Sequence, residues 1–452
     1  METSKPEQTQ VEMLDEVVER LDAGRREELA EQIESSHPAE VADLLESLPP
    51  EQRSGLWNAI PAEQEGEVLT HLHEEARASI IEEMDYDALV AAAQSLTPED
   101  LAEVIEDLPE DKHFSLLLTL EQDHRQRLEA ILNFEDGTAG RLMSSDVISV
   151  RSDVSLAVVL RWLRRHESLP PHTDALMVID DNGMYLGKLG IDDLLTRDPH
   201  TNVEQVMLQG GSIARANMSA HEVAALFERR DLISIAVLGD DERLLGRITI
   251  DDVVDVIREE SDRALLHSAG LSEDEDLFAP VMPSAKRRGF WLGINLLTVF
   301  MASAVIGQFE EVLDKIVALA VLLPVVASMG GIAGSQTLTL TIRGLALDQI
   351  AKANVRWLIG KEIAVGALNG LVWAIVVAAV AYVWFDSAGL AATIAAAMTL
   401  NLLIAACAGV VIPLLLTRFG IDPALSGAVI LTTVTDIVGF LSFLGLASLI
   451  LL

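Results

Sequence analysis

The sequence predicts a multi-domain protein: an all-α superhelical N-domain, an α/β module of two tandem repeats, a linking helix and a five-helix α transmembrane domain. Three observations carry this. Apolar residues recur at helical spacing over the first third of the chain, a strand-and-helix pattern then occurs twice, and five long apolar runs fill the C-terminal part. Charge divides in the same way. The 452 residues hold 70 Asp and Glu against 32 Lys and Arg, a net of -38. Up to Ala285 there are 62 acidic and 23 basic residues, a net of -39; from Lys286 onward there are 8 and 9, a net of +1. A surface so acidic repels nucleic acid and anionic headgroups and attracts cations. The single cysteine, Cys407, lies in an apolar run, which excludes a disulfide framework and a cysteine metal cluster.

The first element is the N-domain, expected over residues 1–136. Its opening, METSKPEQTQVEMLDEVVER, is polar and acidic and reads as no signal peptide, which keeps the acidic part in the cytosol. PAEVADLLESLPPEQ from Pro38 and PEDLAEVIEDLPEDK from Pro98 match at an offset of 60 residues. Each places Pro and acids in a first helical turn, so the segment reads as an internally repetitive helical array. The two α/β repeats follow, expected at 137–202 and 203–257. DVISVRSDVSLAVVLRWLRRH reads as strand, cap and helix, and ALMVIDDNGMYLGKLGIDDLL as two strands around an Asn-Gly type turn leading to a helix. The order returns in SIARANMSAHEVAALFERRDLISIAVLGDDERLLGRITIDDVVDVI, and the pair is expected to form one pseudo-symmetric module. From Val256 a polar helix, VIREESDRALLHSAG, and an acidic SEDED loop lead to the membrane domain, with the linker expected at 258–285. It reads either as a transmitter of movement or as a passive linker.

The membrane domain is expected at 286–452. A bilayer core needs roughly 20 apolar residues per helix, and the runs lie at about Gly289–Phe309, Ile316–Ile342, Ile359–Phe385, Leu390–Leu416 and Ala424–Leu452. Lys286, Arg287, Arg288, Arg343, Lys352, Arg356, Lys361 and Arg418 flank one side of the spans, and Lys315 alone marks the other. By the positive-inside bias the N-terminus is cytosolic and the C-terminus outside.

An ionisable residue inside a span is a functional candidate because its burial is costly. Asp436, in ALSGAVILTTVTDIVGFLSFLGLASLILL, reads as the only acidic residue deep within any span. Thr432 shares its helical face, and a carboxylate beside hydroxyl and carbonyl oxygens suits a hard cation. A protonated carboxylate packed in the bundle, or one that couples protons, fits the same position; the cytosolic acidity favours a cation path. In the second span, PVVASMGGIAGSQTLTLTIR, Gly330, Gly331 and Gly334 allow close approach or a helix break, with Gln336 as a polar group. Functional and packing readings are balanced there. Asn369 and Asn401 could line a wet path or make interhelical hydrogen bonds. In the cytosolic part Asp251, Asp252 and Asp255, with Glu259 and Glu260 further along the helix, read either as a cluster relieved by a divalent cation or as a solvated acidic face. No phosphate loop, catalytic triad or HExxH motif is present, so an enzyme is not expected.

The succession of acidic helical domain, tandem α/β pair, linking helix and five spans ending in TTVTDIVGF resembles the MgtE family of magnesium channels over nearly the whole chain. The resemblance implies that the tandem repeats are a CBS pair, that the linking helix is a plug, and that two chains form a homodimer around a Mg2+ pore. It implies that the pore aspartate is Asp436 and that the backbone carbonyl of Thr432 joins it. Asp422, in the DPAL loop, corresponds to a cytosolic mouth residue able to join a regulatory Mg2+ site. Asp251, Asp252, Asp255, Glu259 and Glu260, with Asp100 opposite them, stand where Mg2+ bridges would hold the closed form. Thr249 and Asp252 match the pattern by which some CBS pairs bind ATP, whereas the first repeat has Gly190 at the threonine position. Two stretches depart from the family pattern: GGIAGSQ has Ile332 in place of a polar residue, and EESDRA has Arg263 and Ala264 where acids are common.

The expected function is a Mg2+-selective channel that imports Mg2+ across the cytoplasmic (inner) membrane and closes when cytosolic Mg2+ binds between the acidic domains. Its partners would be Mg2+, membrane lipids and a second copy of the chain. A proton-coupled transporter of another divalent ion such as Co2+, or a CBS membrane sensor that transports nothing, would share the same parts.

Overall fold

The computed structural model describes residues 10–108, 110–166, 168–271, 277–347 and 349–452. The SEDED loop and the first nine residues lie outside them. The chain divides into two compact units, Met1–Asp262 with Asp274–Pro280 and Arg263–Glu273 with Val281–Leu452.

The first unit opens with short helices packed on a shared core that includes Leu44, Leu45, Val104 and Ile105. The two repeats seen in the sequence become helices Pro38–Glu46 and Pro98–Glu106, each with Pro at its start. Proline suits that position because the first amides of a helix have no carbonyl partner within it. His37 and Glu40 form a capping box on the former, and Thr97 Oγ1 accepts from the Asp100 amide at 3.2 Å on the latter.

The α/β module follows. β1 (Ser149–Arg151), β2 (Ala175–Ile179), β3 (Tyr185–Gly190) and β4 (Leu208–Gln209) form one sheet in the order β1-β2-β3-β4. β5 (Ile213–Arg215), β6 (Ser234–Leu238) and β7 (Leu244–Thr249) form the other. In both, a parallel pair is followed by an antiparallel hairpin with an irregularity at the same place, Val178/Ile179 and Val237/Leu238. The β2–β3 connection is not an Asn-Gly turn with both residues left-handed. Only Gly183 has positive φ, at 79°, while Asp180 Oδ1 closes the loop by accepting from the amides of Asn182 and Met184, each at 2.8 Å.

The second repeat runs straight from β7 into one 19-residue helix, Ile250–Ser268. The repeat's last helix and the linking helix are therefore continuous, and the expected boundary at 257 falls inside an element. No Gly or Pro interrupts this stretch to stop it.

The second unit holds five helices long and apolar enough to cross a membrane: Val281–Gly307, Ala318–Ala346, Val355–Phe385, Ala388–Arg418 and Pro423–Ile450. These are called the first to fifth spans. The first and third start eight and four residues before their apolar runs because these helices begin in charged turns, whereas the second starts two residues after its run. The fourth span is the hub, packing against the second, third and fifth, whereas the first span packs mainly on the fifth. Small residues set the spacing. A Cβ on Gly409 would stand 2.7 Å from Thr337 Cβ and 2.8 Å from the Gly334 carbonyl oxygen, so the fourth and second spans approach at backbone distance.

Candidate functional site

Between the second and fifth spans lies an open groove of about 1150 Å3. Ser328, Ser335, Gln336 and Thr339 of the second span face Thr432 and Asp436 of the fifth, and Gly331 leaves room for Thr432. Pro324, Ala327, Ile332 and Leu340 complete the lining. Asp436 is half-buried, and no Lys, Arg or His is among the described lining residues. One carboxylate among hydroxyl and amide oxygens with no fixed countercharge favours a cation carrying its own water.

The local geometry follows from the threonines. Thr432 turns its hydroxyl back onto the carbonyls of Ala428 and Val429 at 3.0 and 3.1 Å, and buried Thr435 donates to the Thr432 carbonyl at 3.0 Å. The carbonyl expected to join Asp436 thus already accepts a hydroxyl. Gly331 and Ile332 line the groove with Gln336; Gly330 and Gly334 are buried behind it. Asn401 is fully buried outside the groove and bonds to the second span, while Asn369 is exposed.

Asp436 is not the only acid within a span. Glu362 of the third span is buried, accepts from Thr337 Oγ1 at 3.1 Å and pairs with Lys361. Position alone conceals it, because Lys361 and Glu362 open the apolar run and resemble interfacial charges. The i-4 pattern of Gly366 and Gly370 below it, marking a face packed on the fourth span, is the available signal.

The acids expected to gather around a regulatory cation are dispersed. Among the described residues no three His, Cys, Asp or Glu side chains stand close enough to hold a metal ion. Helical rotation points successive acids to different neighbours. Asp251 lies 3.5 Å from His172, Glu260 lies 2.9 Å from His221, and Asp252 accepts from the Thr249 amide and hydroxyl at 2.8 and 3.0 Å. Asp255 and Glu259 are exposed. Burial pushes the Asp252 carboxyl up to about 6 against those two bonds, and also raises Asp100 despite its bond from Thr97. Within the second unit, Asp422 caps the fifth span by accepting from the Ala424 amide at 2.8 Å, and its other oxygen lies 2.6 Å from His267.

Three family models match the chain. The MgtE divalent cation transporter model covers residues 323–446, the MgtE intracellular N domain model 36–137, and the CBS domain model 139–200 and 203–259. The magnesium transporter MgtE of Thermus thermophilus is 33% identical over 330 residues, which is 72% of this chain and 73% of that protein. The chain belongs to the MgtE family. The Bacillus subtilis magnesium transporter MgtE is 28% identical over 357 residues, 79% of each chain. A solved structure of the cytosolic domain of the Mg2+ channel MgtE in complex with ATP is 30% identical and covers 54% of this chain and 99% of that one, at a TM-score of 0.48. The MgtE membership identifies the groove as lying in the divalent cation transporter domain and the chain as a multi-pass membrane protein.

Proposed function

We propose that this MgtE-family protein is a Mg2+-selective channel whose ion path is the groove between the second and fifth spans. The observation that carries the reading is Asp436, a carboxylate among neutral oxygens inside the divalent cation transporter domain. Mg2+ dehydrates reluctantly, so it would pass largely hydrated, with Asp436 and the Thr432 face meeting its water shell. The groove is open rather than enclosed, which supports a homodimer in which a second copy closes the path and contributes a second Asp436. Basic residues at Lys286, Arg287 and Arg288 support a cytosolic N-terminus in the cytoplasmic membrane, and the membrane potential then drives import.

Closure by cytosolic Mg2+ is the regulatory part of the proposal. Asp251, Asp252, Asp255, Glu259 and Glu260, with Asp100 and Asp422, would leave their present surroundings and share Mg2+ in the closed form. A ligand shifts a population only by its differential affinity, and a dispersed set of acids that gathers around a cation supplies one. The end of β7, where Thr249 and Asp252 are paired, is the proposed place for ATP.

The test is Mg2+ influx into proteoliposomes holding the full chain, with no proton gradient, at low and high Mg2+ on the cytosolic face. Influx is expected to be lost in Asp436→Asn and suppressed by high cytosolic Mg2+ in the wild type. Influx that survives Asp436→Asn in a correctly inserted protein sinks the path, and influx that requires a pH gradient favours a proton-coupled transporter.

A further inference from the structure

Asn401 lies on the fourth span, fully buried, behind the wall of the groove. Its Nδ2 donates to the Val326 carbonyl at 2.9 Å. A Cβ on Gly330 would stand 2.3 Å from that nitrogen, and a Cβ on Gly439 would stand 2.8 Å from it. The amide therefore fills a slot between the second and fifth spans that exists because both walls are glycine. Its Oδ1 is buried and, among the described residues, has no hydrogen-bond donor.

An acceptor left unmet in a dry interior costs about 1–3 kcal/mol. A leucine would fill a similar volume without that cost, so packing alone does not account for an amide. What the amide does is hold one carbonyl. Val326 immediately precedes Ala327 and Ser328 of the groove wall, Gly330 precedes Gly331 and Ile332, and Gly439 is three residues beyond Asp436. One side chain thus joins the groove wall to the helix that carries its carboxylate, within one turn of that carboxylate.

We propose that Asn401 is a positioning residue for conduction: by binding the Val326 carbonyl from the slot between Gly330 and Gly439, it sets the separation between the second-span wall and Asp436. The proposal rests on the groove being the ion path. It also assigns Gly439 a role, since any side chain there displaces the amide. A fixed width of this kind selects among hydrated divalent ions, which differ in size and in how readily they shed water.

The experiment uses the full chain in proteoliposomes, reading Mg2+ and Co2+ influx against ion concentration together with thermal stability in detergent. Asn401→Leu is expected to leave the melting midpoint at or above the wild-type value. It should nonetheless lower maximal Mg2+ influx roughly tenfold and change the Mg2+/Co2+ ratio, because a site whose support is loosened loses its geometry. Gly439→Ala is expected to give the same phenotype, and Asn401→Ala added to it should lower influx little further, because both changes remove the same support. Wild-type influx and ion ratio in Asn401→Leu would overturn the proposal. Should that variant fail to insert, Gly439→Ala with a wild-type ion ratio, or a double variant in which the losses of Asn401→Ala and Gly439→Ala add in full, does the same. Influx that depends on Asp436 but ignores these variants defeats only the role of Asn401, whereas influx indifferent to Asp436→Asn defeats the ion path itself.

Discussion

At the head of the linking helix, Asp252 shows how one environment sets one protonation state. Burial raises its carboxyl from 3.8 to about 6; the Thr249 amide and hydroxyl pull the other way, and Asp251 and Asp255 add to the rise. A carboxyl with a higher pKa folded than unfolded binds more protons in the folded chain between those values. Its contribution to stability is therefore present below the window and lost as pH rises through it. In Mg2+-free protein, the melting midpoint of Asp252→Asn relative to wild type should increase between about pH 4 and about pH 7. A difference that stays flat across that range would refute the assignment. Residues of this kind were unevenly legible. Asp436 stands out in sequence because no other charge interrupts its 28-residue helix. Glu362 does not, since burial at the end of an apolar run depends on which helix covers it. The partners of Asp251, Glu260 and Asp422 are histidines 79, 39 and 155 positions away, and no local spacing rule reaches that far.

Among the elements, the second span bears the groove on one side and the fourth span on the other. Its approach to the fourth rests on Gly409, where an added Cβ would meet Thr337 Cβ and the Gly334 carbonyl below van der Waals distance. Backbone cannot step aside as a flexible side chain can. Gly409→Val should destabilise the membrane unit by about 1–3 kcal/mol, read as a lower melting midpoint in detergent, and an unchanged midpoint would mean that the spans are not locked there. The five spans were legible because a bilayer imposes a minimum apolar length. Their N-terminal ends were not, because helices extend past the hydrocarbon into turns such as Lys286–Arg288 that hydropathy discounts. Strand pairing in the two repeats followed from their internal similarity, whereas the fusion of the last repeat helix with the linker at Ile250–Ser268 depends on the lack of a breaker, a weaker signal than a motif.

Over the whole molecule, charge is divided as unevenly as hydropathy. The part before Lys286 carries a net charge of -39, and self-repulsion on that scale works against a compact state. Monovalent salt should raise its melting midpoint by screening, an effect largely complete once the Debye length falls to about 8–10 Å. Mg2+ at matched ionic strength should raise it further if carboxylates share the ion, as measured by calorimetry on the full protein in detergent. Equal midpoints in the two salts would reduce the acidic surface to screening alone.

The open groove has a consequence for inheritance. If, as proposed, a second copy closes the groove, each chain supplies one bank and each passage would be held in common by two gene products. A subunit with a damaged bank would then disable the passage it shares with a sound partner, and loss of function would spread beyond the copies that carry the lesion.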